Sequence, residues 1–132
     1  MLYTKFGQDL QRSFTGLAIA FATIILVKSL TPALPSLSIN NVDKYIHVIA
    51  YLVLGVVTLP ALPHIRPVLV CLGVAGFGAG IEILQGIINT GRSADIYDGV
   101  ANALGAVLAV IIWIIFTRYV VKYSEIRENK HQ

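Results

Sequence analysis

Four long apolar segments decide which folds are open to this chain. They cover residues 14–30, 46–62, 68–88 and 100–116. Each segment is about long enough to cross a hydrocarbon core of ~30 Å at ~1.5 Å per residue, the second and fourth with the help of flanking residues. Within lipid, a helix satisfies its own backbone hydrogen bonds, whereas an open strand does not. The sequence therefore predicts an all-α membrane protein with four transmembrane helices.

The composition agrees with a membrane location. Of the 132 residues, 56% are hydrophobic and 13% are charged, whereas about a quarter of the residues of a soluble domain are charged. Breaks rich in proline, asparagine and glycine separate the apolar segments. We therefore expect one membrane domain with helices at about 14–30, 46–62, 68–88 and 96–120, followed by a charged tail at 122–132. Its expected surroundings are membrane lipids, and no nucleic-acid partner is expected.

The basic residues are distributed unequally between the two sides of such a bundle. Three of them, Lys28, Lys44 and Arg92, would lie on one side, and the other seven would lie on the opposite side with both termini. The positive-inside bias places the side with more lysine and arginine in the cytoplasm. Lys5 and Arg12 precede the first segment as in a signal peptide, but no clear A-x-A cleavage site follows, so we expect a retained first helix.

Polar residues gather at the opposite, extracytoplasmic face. Asp43, His47 and Tyr51 are four residues apart and share one helix face. The same rule groups Glu82 with Gln85, and Asp95 with Asp98 and Asn102 if the last helix starts near Asp95, where either aspartate could cap it. An ionisable group inside a membrane helix costs roughly 2.5–3.5 kcal/mol on insertion scales. Three polar stripes of this kind predict one inward-facing polar pocket.

Small residues at helical spacing suggest close packing between helices. Gly76 and Gly80 are four residues apart, as are Ala101, Gly105 and Ala109. Such spacing lets membrane helices approach closely. Glycine and alanine are also simply abundant in transmembrane helices, so both interpretations stay open.

Three motifs in order resemble those of the VanZ-like family. They are Asp43-Lys44-x-x-His47-x-x-x-Tyr51, then Glu82-x-x-Gln85, then Arg92-x-x-Asp95-x-x-Asp98-x-x-x-Asn102. The resemblance covers residues 28–115. It implies a small multi-pass protein of the bacterial cytoplasmic (inner) membrane that acts in cell-envelope physiology. The member that gives the family its name is linked to low-level resistance to the glycopeptide teicoplanin.

Two functional hypotheses fit the polar pocket. In the first, an enzyme acts on a lipid-linked or cell-wall substrate, with Glu82, Asp95, Asp98 and His47 as candidate catalytic acids and bases. No G-x-S-x-G motif and no Cys/His arrangement suggests a nucleophile. In the second, the protein binds an anionic envelope lipid, a glycopeptide or a partner protein without turnover. The candidate substrate-binding residues are Asp43, Lys44, Tyr51, Gln85, Arg92 and Asn102.

Two further alternatives concern the carboxylates. Asp95 and Asp98, with Glu82 and Asp43 nearby, could hold Mg²⁺ or Mn²⁺ through oxygen ligands. His47 would be a single nitrogen ligand, which makes Zn²⁺ a less favoured choice. Alternatively, the whole group could be a structural polar network of ion pairs and interhelical hydrogen bonds. The sequence leaves the substrate, the cofactor and the oligomeric state open.

Overall fold

In the part of the chain that the structure describes, four α-helices form a bundle. The computed structural model describes residues 2–31, 42–88 and 95–129, with side chains for residues 7–31, 42–88 and 95–123. The helices in this part are α1 (Leu2–Leu30), α2 (Val42–Ala61), α3 (Pro67–Ile87) and α4 (Ile96–Asn129), and it contains no strand. Each helix holds a stretch long and apolar enough to cross a membrane. The prediction of an all-α membrane protein with four transmembrane helices is confirmed.

The first and last helices extend beyond their apolar segments. α1 begins at Leu2, well before the expected start near residue 14, and α4 continues to Asn129 rather than ending near residue 120. Much of the charged tail expected at 122–132 is therefore helical. Apolarity marks only the part of a helix that lipid surrounds. Glutamine, arginine, lysine and glutamate are good helix formers and continue the same helix beyond that part.

α2 and α3 are joined by a short, proline-rich turn. Pro60 lies in the last turn of α2, and Pro67 occupies the first position of α3. A proline is well tolerated at the first position of a helix, as Pro67 is here, because its missing N–H would have had no partner in the first helical turn. The short connection makes α2 and α3 neighbours in the bundle.

α2 contacts each of the other three helices, and it packs most closely against α4. A Cβ atom added at Gly105 would collide with the backbone of Val48 and Leu52, and one added at Gly55 would lie 2.5 Å from the Cβ of Ala109. Close packing is thus confirmed at Gly105. The lack of side chains at these two glycines lets α4 lie directly against the α2 backbone.

Gly76 and Gly80 do not make a close helix contact among the described residues, so of the two interpretations left open the abundance of glycine applies to them. A Cβ added to either glycine would meet nothing within 4 Å. Gly78, between them, is the residue that makes the close approach, because its Cβ would lie 2.9 Å from both Tyr51 and Asn102. The helix rotation places Gly78, with buried Val74 and Ile81, on the inner face of α3.

The outer surface of the bundle is apolar. Ile83, Ile87, Ile96 and Val100 are each at least 61% exposed. Water would disfavour so much exposed apolar surface, whereas lipid does not. This surface leaves the bundle interior as the place for the polar side chains of α2, α3 and α4.

Candidate functional site

Lys44 brings the start of α2 to the start of α4. Its Nζ donates hydrogen bonds to Asp95 Oδ2 at 3.0 Å and to Asp98 Oδ1 at 3.2 Å. The same ammonium lies 5.3 Å from the centre of the Tyr97 ring, within cation–π range. Lys44 lies in the first turn of α2, and the two aspartates flank the first turn of α4. The helix ends therefore hold a lysine between two carboxylates.

Asp95 caps α4. Its Oδ1 accepts a hydrogen bond from the Tyr97 backbone N–H at 2.8 Å, and its carbonyl oxygen accepts from Asp98 and Gly99. An aspartate in this position satisfies one of the free N–H groups of the first helical turn. Hydrogen bonds from Lys44 and from the Tyr97 N–H favour the ionised carboxylate, and they lower the pKa of Asp95 below its ordinary value.

His47 is held between Asn102 and Asp98. Its Nδ1 lies 2.9 Å from Asn102 Oδ1, and its Nε2 lies 3.7 Å from Asp98 Oδ2. Asn102 is 1% exposed, so the surrounding helices fix its amide. The carboxylate of Asp98 thus lies between two groups, Lys44 on Oδ1 and His47 on Oδ2.

Glu82 reaches the same region from α3. Its side chain is 8% exposed, and its Oε2 accepts a hydrogen bond from the Asp95 backbone N–H at 3.2 Å. Its other oxygen, Oε1, is buried and has no hydrogen-bond partner among the described residues. We call this set of side chains the polar cluster: Lys44, His47, Glu82, Asp95, Asp98 and Asn102.

The other predicted site residues lie around the polar cluster. Asp43 is exposed at the start of α2, and one of its carboxylate oxygens lies within 4.8 Å of ligand atoms of His47 and Asp98. Tyr51 is 2% exposed and packs against Gly78 and Phe77. Arg92 lies outside the described residues.

Gln85 joins α3 to the end of α1. Its Nε2 donates to the carbonyl oxygen of Ser29 at 2.7 Å. It therefore positions α1 beside the polar cluster. Asp95 and Asp98, the pair considered as metal ligands from the sequence, both accept hydrogen bonds from Lys44. The residues whose carboxylate and imidazole atoms lie close enough together to hold a metal ion are instead Asp43, His47 and Asp98.

Two cavities adjoin these residues. A groove of about 710 Å³ runs between α3 and α4, and its lining includes Glu82 and Asp95 as the two ionisable residues among otherwise apolar or small ones. A smaller cavity of about 290 Å³ lies between α1 and α2, beside Asp43, His47 and Tyr51. We call the larger one the α3–α4 groove. Its apolar walls suit a hydrocarbon chain.

Sequence reasoning missed several residues of this region. Tyr97 donates its backbone N–H to Asp95 and places its ring near the Lys44 ammonium. Its position between two aspartates at a helix start could have identified it from the sequence. Ser29 takes part through its carbonyl oxygen, which every residue has, so no sequence signal marks it. Gly78 could have been recognised only from the rotation of α3.

Most of the chain matches the sequence model of a known protein family. The sequence model of the VanZ/LLP1 family matches residues 3–117. The chain belongs to the VanZ/LLP1 family. The match includes the four apolar stretches and every residue of the polar cluster, and it confirms the resemblance drawn from the three motifs. No significant match to the chain was found among curated proteins or among solved structures.

Proposed function

We propose that this VanZ/LLP1 protein is a cell-envelope enzyme that acts on a lipid-linked molecule of the bacterial cytoplasmic membrane. The hydrocarbon part of the substrate would lie in the α3–α4 groove, and its headgroup would meet the polar cluster. The observation that carries the proposal is the buried Glu82 carboxylate, whose Oε1 has no partner among the described residues and whose side chain lines that groove.

Folding alone gives no reason to keep this carboxylate. A buried, unpaired polar atom lowers stability by about 1–3 kcal/mol, and more when it is charged. A glutamate in this position can exchange a proton with a substrate that reaches its second oxygen, because that oxygen has no hydrogen-bond partner among the described residues. Strained or unsatisfied groups of this kind are characteristic of functional sites.

The geometry also suggests the chemistry of the headgroup. Glu82 and Asp95 are the two carboxylate residues that line the groove, so a headgroup with hydroxyl or amine donors complements them. This supports a saccharide- or amine-bearing lipid of the kind used in cell-wall synthesis. Such a role agrees with the glycopeptide resistance associated with the family name.

Anion capture without turnover has less support from the described residues. Lys44 was the expected anion-binding group on α2, but both of its hydrogen bonds go to aspartates. Four carboxylates (Asp43, Glu82, Asp95 and Asp98) surround the region, against the ammonium groups of Lys28 and Lys44. An anionic ligand would have to overcome this negative excess.

The groove can be tested by filling it. Gly76 lines the α3–α4 groove, and a Cβ there meets open space, so Gly76→Leu adds bulk without a clash in the protein. We expect it to abolish retention of lipids from a bacterial lipid extract that contains cell-wall precursors, measured by native mass spectrometry. Gly16→Leu is the matched control, since Gly16 also meets open space and lies on α1.

The catalytic role can be tested on the same extract. Glu82→Gln should retain the lipid but stop any mass change of its headgroup, and cells that carry it should show the teicoplanin susceptibility of cells without the protein. Retention of lipid with no headgroup conversion by the wild type would instead support a binding protein. Unchanged lipid retention in Gly76→Leu would exclude the groove.

A further inference from the structure

The strongest unassigned feature is a group of three side chains beside the polar cluster. Asp43, His47 and Asp98 each offer one ligand atom, and these atoms all lie within 4.8 Å of one another. A tetrahedral metal site with bonds of about 2.0–2.2 Å separates its ligand atoms by roughly 3.3–3.6 Å. The 3.7 Å between His47 Nε2 and Asp98 Oδ2 is already close to this spacing.

The tautomer of His47 provides independent support. Asn102 presents its carbonyl oxygen to Nδ1 at 2.9 Å, and a hydrogen bond between them requires the hydrogen on Nδ1. In the neutral ring, Nε2 then holds a lone pair and faces the carboxylate oxygen of Asp98. Two acceptors that face each other repel unless a second proton on the ring or a metal ion lies between them, and an imidazole nitrogen with a carboxylate oxygen is a usual metal-ligand pair. A hydrogen bond from the remote ring nitrogen to an oxygen acceptor is also the usual second interaction of a metal-binding histidine.

The surrounding charges point in the same direction. Lys44 pairs with Oδ1 of Asp98, and Oδ2 of the same carboxylate faces His47. Glu82, buried and with one oxygen unpartnered, interacts electrostatically with both His47 and Asp98. The Lys28 residue lines the same small cavity, and among the described residues its charge reduces, but does not reverse, the negative excess of the four carboxylates.

We propose that Asp43, His47 and Asp98 form a binding site for a divalent metal ion. One imidazole nitrogen and two carboxylate oxygens suit Mn²⁺ or Zn²⁺ better than Ca²⁺, which takes oxygen ligands only. Three protein ligands leave at least one coordination position for water or a headgroup oxygen. The site binds metal whether or not the α3–α4 groove holds a substrate, so it does not depend on the proposed enzymatic function.

The test is a titration of the full-length protein, in detergent and without a histidine tag, with MnCl₂ and with ZnCl₂. Isothermal titration calorimetry should show one metal ion bound per chain, and the unfolding midpoint should rise with metal concentration as linkage requires. Asp43→Asn and His47→Ala should each weaken binding at least about tenfold, since even loss of an outer-sphere partner weakens metal binding about 10–100-fold. Asp43 is exposed and makes no described hydrogen bond, so its substitution leaves the fold intact.

His64→Ala is the matched histidine control, because His64 is exposed in the turn between α2 and α3. It should bind metal as the wild type does. Glu82→Gln removes a nearby charge but no ligand, so it should weaken metal binding far less than His47→Ala does, which separates this site from the proposed role of Glu82. Absence of binding at millimolar metal, or equal affinity in the wild type, Asp43→Asn and His47→Ala, would overturn the proposal.

Discussion

The two ends of the helix bundle are held together in different ways. At one end, the polar cluster joins α2, α3 and α4 through Lys44, Asp98 and Glu82. At the other, apolar side chains and small residues are buried, among them Leu59, Ala61, Val70 and Ala109. The Gln11 side chain links α1 to the end of α2 there, because its Nε2 donates to the Ala61 carbonyl oxygen at 3.2 Å.

The two ends of the bundle therefore differ in what their side chains contribute to stability. Membrane helices associate through close van der Waals contact more than through burial from water. The apolar end provides that contact without any ionisable group. The polar end instead contains ionisable groups, and one of them, Glu82, has an oxygen with no hydrogen-bond partner among the described residues. We therefore assign stability mainly to the apolar packing and chemistry to the polar cluster.

The largest loss of stability is expected where α4 meets the α2 backbone. Gly105→Ala places a Cβ against the carbonyl oxygen of Val48 and the backbone of Leu52, and neither can move without displacing a helix. We expect a loss of about 1–3 kcal/mol or more from overpacking, seen as a lower unfolding midpoint in detergent. Gly76→Ala, which meets open space, should be neutral or stabilise by up to about 1 kcal/mol. Equal effects at the two glycines would refute the proposed packing.

A smaller loss is expected from the ion pairs at the polar end. Lys44→Met leaves Asp98, whose side chain is 15% exposed, without its ammonium partner. We expect a lower unfolding midpoint, with a smaller fall than for a fully buried pair because the lysine side chain itself is 38% exposed. Arg12→Met removes an exposed pair with Asp9 and should change stability by less than about 0.5 kcal/mol. A larger loss from Arg12→Met than from Lys44→Met would contradict the account.

A still smaller effect is expected in the dependence of stability on pH, on the acidic side of neutrality. The pKa of Asp95 is lower in the folded chain, so its interactions with Lys44 and the Tyr97 N–H stabilise the fold above its unfolded pKa of about 4. That contribution is lost as pH falls through the lower, folded pKa. The difference in unfolding midpoint between the wild type and Asp95→Asn should therefore shrink as pH falls from 6 to 3. A difference that grew on acidification would give the wrong sign.

The comparison of the two ends also shows how far the sequence could lead. Segment length and apolarity predicted four helices, because lipid permits few other structures. The i, i+4 spacings of Asp43 with His47 and of Asp98 with Asn102 predicted shared faces, and these residues do lie together. Pairings between helices depend on rotation and register. The sequence therefore did not indicate that Lys44 would pair with both aspartates, or that Gly78 would pack against Asn102.

The most direct test of the division between folding and function is the unfolding midpoint of Glu82→Gln, measured against the wild type in the same detergent. We expect an unchanged or higher midpoint, because glutamine has nearly the same shape as glutamate and is uncharged. The Oε1 atom of Glu82 is buried and has no hydrogen-bond partner among the described residues. Gln85→Glu is the matched control: it removes the donor to the Ser29 carbonyl oxygen and should lower the midpoint. A clear fall in Glu82→Gln would show that the carboxylate stabilises the fold, and would contradict its assignment to chemistry.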